Sequence, residues 1–296
     1  MNDAKLNRGI AFMLLITLFL LGDFIFSFPE RQNNNQNQNH KNVTEEYEVT
    51  KSNRSISNQM ISNDGYIHDE YHWGIDISDH NLVDEAFFQE ISKKGAKFVL
   101  IRFGTYYEGY GINPYTDYAR EKAKYCRKYG LHYGYYFLTD ARSDVKFEEQ
   151  IKFIENFIDS DTSKYHSFPV ILDHEEYGGN ESLNNKHLRL ETLVKLSKRL
   201  WDDGYNVWIY TSENSYHIAK SYDFYEGQCF WVGNYNYMKI KSPPENGNAN
   251  LLDTYPIDIE VWQYTDNQNI HEERGINFYG NLDRDLMSKR VYDKYT

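Results

Sequence analysis

The run Phe98-Val-Leu-Ile-Arg-Phe103, the segment Thr116 to Tyr129 and the run His132-Tyr-Gly-Tyr-Tyr-Phe-Leu138 decide the fold. The two outer runs are short, apolar and rich in β-branched and aromatic residues, which is the pattern of strands buried on both faces. The segment between them carries its apolar residues near helical spacing and is followed by Gly130, a residue suited to a helix C-cap. Working outward, Trp73 to Ile77, Phe168-Pro-Val-Ile-Leu172 and Asn206-Val-Trp-Ile-Tyr210 read as further strands. Leu82 to Lys94, Asp144 to Ile158 and Leu188 to Asp203 read as helices, with Gly95 and Gly204 just past two of the ends. Repeated strand–helix alternation predicts a parallel sheet. After Tyr210 the rhythm changes: Phe230-Trp-Val232, Val261-Trp-Gln-Tyr264 and Asn281-Leu-Asp283 follow, with at most one weak helix near Ser212 to Ser221. Eight strands in about 225 residues predict an α/β chain forming a TIM-like (β/α)5(β)3 barrel, a little under the ~250 residues usual for that fold. An open doubly wound sheet is the alternative. It lacks a glycine-rich phosphate turn after its first strand, where Asp76-Ile-Ser-Asp-His80 stands instead.

The chain has 296 residues, 40% of them hydrophobic, enough for a sizeable core. Its formal charge is -12, from 32 basic and 44 acidic residues. With no Lys/Arg run to track phosphates, nucleic acid is excluded as a partner. Residues 1–60 hold as many basic as acidic residues, so the whole excess of negative charge belongs to the remainder. Aromatic residues make up 17%, including 27 Tyr, a surplus that suits a groove stacking on sugar faces. Cys126 and Cys229 form no CxxC pair, and nothing in their spacing argues for a disulfide.

At the amino terminus Lys5 and Arg8 precede the apolar run Gly9 to Gly22; Asp23 interrupts it and Phe24-Ile-Phe-Ser-Phe28 resumes. Residues 1–28 read as a signal peptide or, taken through Asp23, as a signal anchor spanning residues 9–28, so the rest of the chain is expected outside the cell or on its surface. The tract Gln32-Asn-Asn-Asn-Gln-Asn-Gln-Asn39 opens a polar stretch, residues 29–61, too poor in apolar groups to fold and expected as a disordered linker. The barrel is assigned to residues 62–296.

In such a barrel chemistry sits at the carboxyl ends of the strands. The fourth strand ends Leu172-Asp-His-Glu-Glu-Tyr177, and the period-two alternation of strand side chains sends Asp173 and Glu175 into the mouth and His174 away from it. The same alternation selects Glu175 over Glu176. Asp76 and Asp79 at the end of the first strand, and Asp283 and Asp285 at the end of the last, bring further acids to that mouth, because first and last strands are neighbours in a closed barrel. Converging carboxylates raise at least one pKa, the condition for a general acid beside an ionised partner, as glycoside hydrolysis requires. A lone acid after a strand is more often a helix cap or a loop residue, and Asp79 is read that way.

Other chemistries have weaker support. His68-Asp-Glu-Tyr-His72 has the i, i+4 histidine spacing, but in a segment without helical pattern, so neither a metal nor any other cofactor is expected. No Ser or Cys stands in a nucleophile elbow, which leaves Ser212 and Cys229 without a catalytic reading.

These motifs, in this order, resemble those of the glycoside hydrolase family 25 lysozymes, the Chalaropsis-type muramidases. The similarity runs from Trp73 to the last strand through Gly74-Ile-Asp-Ile-Ser78, Phe98-Val-Leu-Ile-Arg102, Gly134-Tyr-Tyr-Phe137, Asp173-His-Glu175, Ile209-Tyr-Thr211, Trp231-Val-Gly-Asn-Tyr235, Trp262-Gln-Tyr264 and Leu282-Asp-Arg-Asp285. The resemblance implies a barrel of five βα units followed by helix-poor strands. It implies cleavage of the β-1,4 bond between N-acetylmuramic acid and N-acetylglucosamine in peptidoglycan glycan strands. A monomer without a cofactor is expected. It makes Glu175 the general acid, Asp173 the group that orients the substrate acetamido group or stabilises charge, and Asp76 and Asp283 the acids that tune the pair. Tyr136, Tyr210, Trp231, Tyr235 and Trp262 fall where aromatics line the family's groove, with a place in the core the equal alternative for each, and Arg102 joins them as a substrate-binding residue. Retention through the acetamido group and inversion through a water both remain open. Phe137 departs from the family, which commonly has His there, and would alter one polar contact. With no repeat module after the last strand, targeting is expected from the barrel or from the anchor and stalk. A non-catalytic glycan-binding or scaffold protein on the same barrel is the alternative function; a chitinase-like enzyme or a metal-dependent deacetylase is a third.

Overall fold

The structure is a computed structural model. It describes residues 71–175, 182–225, 228–235, 259–265, 270–278 and 282–296. The signal or anchor segment, the Asn/Gln-rich linker, His68 and Glu176 lie outside the described residues.

The strands are β1 (Tyr71–Ile77), β2 (Phe98–Tyr107), β3 (Gly111–Pro114), β4 (His132–Thr139), β5 (Val170–His174), β6 (Val207–Ser212), β7 (Cys229–Gly233), β8 (Ile259–Thr265) and β9 (Asp283–Ser288). The helices are α1 (Glu85–Lys93), α2 (Thr116–Tyr129), α3 (Phe147–Asp159), α4 (Leu183–Asp202), α5 (Glu213–Ala219), α6 (Ile270–Arg274) and α7 (Lys289–Tyr295). Strand order is β1-β9-β8-β7-β6-β5-β4-β2-β3, and β1 also pairs with β2, so eight strands close into a barrel and β3 hangs on β2 as a hairpin arm. From β1 through β8 the neighbours in the barrel are parallel. The exception is β9, antiparallel to both β8 and β1. Closure excludes the open doubly wound sheet.

The helices begin and end for local reasons. Asp84 caps α1 by accepting the Phe87 backbone N–H at 3.0 Å, and Ser182 accepts from Asn185 at the start of α4. Gly130, with φ of 70°, ends α2 in the left-handed conformation that a glycine adopts without strain. The third predicted helix starts later than Asp144, because Lys146 itself is left-handed (φ 58°).

Two apolar layers result. One lies between the barrel and its helices and contains Phe103, Phe137, Ile154 and Leu196. The other fills the lumen with Phe98, Leu100, Phe168, Trp208, Val261 and Met287. Gly74 and Gly134 face this lumen, where a Cβ would come within 2.5 Å of the Phe98 ring and 2.9 Å of Phe168 Cβ. The small residues make room for the large ones in the barrel's taper.

Three expectations need correction. The last strand is not Asn281–Asp283 ending at the mouth; it begins at Asp283 and runs the other way, so it is the amino-terminal end of β9 that brings its acids there. The arm β3 carries too few residues to show alternation. Among the described residues the final third holds three short helices, α5, α6 and α7, rather than one, each of five to seven residues and too short for a helical period. Cys126 and Cys229 are both free, the first buried under α2.

Candidate active site

The strand ends open into a cavity of about 340 Å³ whose walls include Asp76, Arg102, Tyr136, Asp173, Glu175, Tyr210, Trp231, Tyr235, Gln263 and Asp283. Four acids and five of the six binding residues read from the sequence are thus brought together. The sixth, Trp262, is not: alternation along β8 turns it out of the barrel, where it is 1% exposed and its indole N–H donates to the Asn234 carbonyl oxygen at 3.0 Å. Its neighbour Gln263 takes the inward position. Phe137 also faces outward, packed between Phe103 and Phe153 at ring distances of 5.6 Å. The missing histidine of the family pattern therefore removes nothing from the wall of this cavity. His72 packs edge-on against the Tyr292 ring at 4.6 Å. Among the described residues no group of three or more His, Cys, Asp or Glu is arranged to hold a metal ion.

On β5, Asp173 is 2% exposed in the lumen, His174 is fully buried on the opposite face, and Glu175 reaches the rim. Burial pushes the Asp173 carboxyl well above the ordinary range, Glu175 and the deeper acids Asp76 and Asp283 adding to the rise while Arg102 opposes it. Desolvation likewise raises Glu175, again against Arg102. The two carboxyls together hold a proton to a pH at which an isolated pair has lost both.

Below them lies a second buried pair. In the β1–β9 register Asp76 stands opposite Asp283 and Gly74 opposite Asp285. Asp76 and Asp285 are both raised, mainly by desolvation and then by a like charge, Asp285 in the first case and Asp283 in the second. Each has a neutral donor: Gln263 Nε2 donates to Asp76 Oδ2 at 2.8 Å, and Trp231 Nε1 donates to Asp285 Oδ1 at 2.8 Å. Gln263 can present its amide nitrogen there because its Oε1 accepts both the Tyr210 and Tyr235 hydroxyls, each at 2.6 Å. Gly233 gives this cluster its space, since a Cβ there would lie 2.5 Å from the Tyr210 hydroxyl oxygen. Tyr136 and Tyr210 meet the Trp231 ring edge-on at 5.8 and 4.4 Å, forming an aromatic floor. Their phenols are raised by burial and stay protonated, hence able to donate.

Sequence reasoning missed two partners. Gln263 was overlooked beside the more conspicuous Trp262, although alternation from Val261 would have found it. Asp79 is not a helix cap, which is the part played by Asp84; it forms an ion pair with Arg102, accepting from Nε at 3.2 Å and also from Nη2.

Against known proteins, the profile described as glycosyl hydrolases family 25 matches residues 75–273. A search of curated proteins finds no match. Among solved structures, the modular autolysin LytC of Streptococcus pneumoniae, determined with a synthetic peptidoglycan ligand, superposes with a TM-score of 0.52 at 20% identity, covering 79% of this chain and 51% of that one. This chain thus spans about half the length of that autolysin. The spore cortex lytic enzyme SleM of Clostridium perfringens gives 0.55 at 16% identity, with 75% and 69% covered. A family GH25 lysozyme from Aspergillus fumigatus gives 0.52 at 17%, with 76% and 97% covered. These likenesses show a shared barrel, and the profile match, extending over most of the barrel and across every strand from β1 to β8, shows that the chain belongs to family 25 of the glycosyl hydrolases.

Proposed function

We propose that the protein is a lysozyme that hydrolyses the β-1,4 bond between N-acetylmuramic acid and N-acetylglucosamine in bacterial peptidoglycan. The observation that carries this reading is the Asp173–Glu175 pair: two carboxyls two residues apart on one strand end, in an aromatic-walled cavity, both with raised pKa. Glu175, at the rim, is the general acid that protonates the glycosidic oxygen as the bond to the anomeric carbon breaks. Asp173, deeper and closer to the acids of β1 and β9, accepts the substrate's acetamido N–H. That hydrogen bond favours the Asp173 anion and leaves the shared proton on Glu175, where it is needed. Asp76 and Asp283 support the arrangement electrostatically. Tyr136, Tyr210 and Tyr235 offer ring edges and hydroxyls to a sugar, with Trp231 beneath them. The enzyme works outside the cell or at its surface, residues 9–28 serving as export signal or anchor, and it acts as a monomer on glycan strands.

The test is product analysis of the full-length chain on purified peptidoglycan, reading which sugar carries the new reducing end. Muramic acid is expected there, with the rate lowered about 10²- to 10⁴-fold in Glu175→Gln. Because desolvation raises Glu175, kcat/KM should hold to a higher pH than an ordinary glutamic acid near 4.3 allows, and fall as pH rises through the elevated value. No release of sugar from any wall type by a folded protein would leave a glycan-binding scaffold as the function.

A further inference from the structure

Arg102 lies on β2 facing the lumen, and its side chain is 9% exposed. Its guanidinium interacts with Asp173 on β5, Glu175 just beyond that strand and Tyr136 on β4, and lies over the Tyr115 ring, 5.4 Å from its centroid. The carboxylate that grips it comes from elsewhere. Asp79 stands two residues beyond β1, between Ser78 and His80, which line the cavity while it does not; it accepts from Arg102 Nε at 3.2 Å and from Nη2. The loop holding Asp79 is built rather than loose. The Ser78 backbone N–H donates to Asn81 Oδ1 at 2.7 Å, and the Asn81 N–H returns to the Ser78 carbonyl oxygen at 2.9 Å. From α2, Lys122 Nζ donates to the Val83 carbonyl oxygen at 2.8 Å and fastens the loop's far end.

We infer that Asp79 is a positioning residue: its ion pair with Arg102 holds the guanidinium back from the Asp173–Glu175 pair and so sets how much positive charge reaches the general acid. The inference rests on the function proposed above. Without Asp79, one negative charge is lost near the mouth and the guanidinium is free to turn toward the Asp173 and Glu175 carboxylates, which line the cavity with it. Both changes favour ionised Asp173 and Glu175, so they act in the same direction and deprotonate the acid at lower pH. The other titratable groups near Arg102 and the two carboxyls include His80, whose Nδ1 is 3.8 Å from Asp79, Tyr118 on α2, Tyr136 and Tyr210 in the cavity wall, and the deeper acids Asp76 and Asp283. His80 is largely exposed and is not a replacement for a buried guanidinium.

The experiment compares the full-length wild type with Asp79→Asn and Asp79→Glu. In the pH dependence of kcat/KM on peptidoglycan, the alkaline limb is expected about 0.5–1 unit lower in Asp79→Asn and restored toward wild type in Asp79→Glu. A change in height at every pH with the limb unmoved makes Asp79 merely structural and overturns the inference. The carboxyl titration of Glu175, followed by carbon-13 NMR with Glu175→Gln for assignment, needs no turnover. If the wild type cleaves nothing, the proposed function fails, while a lower Glu175 midpoint in Asp79→Asn still upholds the charge-setting role and an unchanged one refutes it. Should Asp79→Asn fail to fold, Asp79→Ser removes the same charge in a smaller volume and takes the same measurement.

Discussion

Gly233→Ala is the substitution whose consequence the geometry specifies most fully. A Cβ at residue 233 would stand 2.5 Å from the Tyr210 hydroxyl oxygen and 3.2 Å from both Gln263 Oε1 and the Tyr235 hydroxyl oxygen. The first contact is well inside van der Waals distance, and the Tyr210 ring cannot tilt freely, because it is buried against Trp231 at 4.4 Å. Relief requires the hydroxyl to leave Gln263, which forfeits a hydrogen bond worth about 1 kcal/mol net, on top of an overpacking cost of about 1–3 kcal/mol. The expected loss is about 3 kcal/mol, a Tm lower by ~6–12 °C for a domain of this size. Because Gln263 also holds Asp76, its displacement should lower kcat/KM by about 10- to 100-fold. The decisive assay is a double-mutant cycle by chemical denaturation with Tyr210→Phe. Removing the hydroxyl removes the close contact, so Gly233→Ala with Tyr210→Phe should be less destabilised than the sum of the single changes, by at least ~1 kcal/mol. Additive costs would refute the contact as the cause.

Further expectations concern charge. Asp285 is buried with a raised pKa, so the folded state binds a proton more tightly than the unfolded state; the stability this gives is complete below the unfolded value near 3.9 and is lost as pH rises through the folded value. Asp285→Asn, which keeps an acceptor for the Trp231 indole, should therefore be more stable than wild type at pH 8 in urea denaturation, with the advantage shrinking toward pH 4; lower stability at both would contradict the assignment. Glu273 is 3.0 Å from Arg274 Nε and 2.6 Å from Arg284 Nε, and accepts the Tyr264 hydroxyl at 2.7 Å. Glu273→Gln leaves two buried guanidinium groups short of a counter-charge and should cost about 3–5 kcal/mol in the same assay, an effect under 1 kcal/mol arguing against the network. The chain's charge of -12 opposes an anionic wall, so initial rates on wall fragments should rise from low to moderate salt; a maximum at the lowest salt would show that long-range repulsion does not limit encounter.

The barrel was legible because its determinants are local. A strand buried on both faces announces itself as an unbroken apolar run, and Gly130 and Gly204 mark helix ends through the positive φ that their positions require. The Asp173–Glu175 pair was legible for the same reason, since alternation along one strand decides it. The direction of β9 was not legible: alternation is identical read forward or backward, and only the pairing of Asp76 with Asp283 fixes it. Trp262 shows a different failure. The resemblance put it along the groove with the core as an equal alternative; the ring is a core filler, and the smaller Gln263 beside it does the polar task. Asp79 is the loop residue its position suggests, but its ion pair was not legible, because Arg102 is 23 residues away on another strand, a relation that no local spacing reveals.

The reversed last strand also explains how the acids come to be where they are. A parallel eighth strand must enter at the floor of the barrel, so its amino-terminal residues would be buried at the wrong end. An antiparallel β9 enters at the mouth, the same end at which β8 leaves, needing no crossover from rim to floor. Its first residues, Asp283 and Asp285, then lie across from Asp76 and Gly74 of β1. Like charges facing one another across an antiparallel pair destabilise a sheet, and here they do so in a dry lumen, where the indole of Trp231 and the amide of Gln263 are the neutral donors at hand. Packing alone would favour apolar residues at these positions. What the acids provide instead is negative charge beneath Asp173, where Asp76 and Asp283 add to the rise that burial gives its carboxyl. The antiparallel return of β9 therefore does two things at once: it dispenses with the last crossover, and it delivers Asp283 and Asp285 to the mouth.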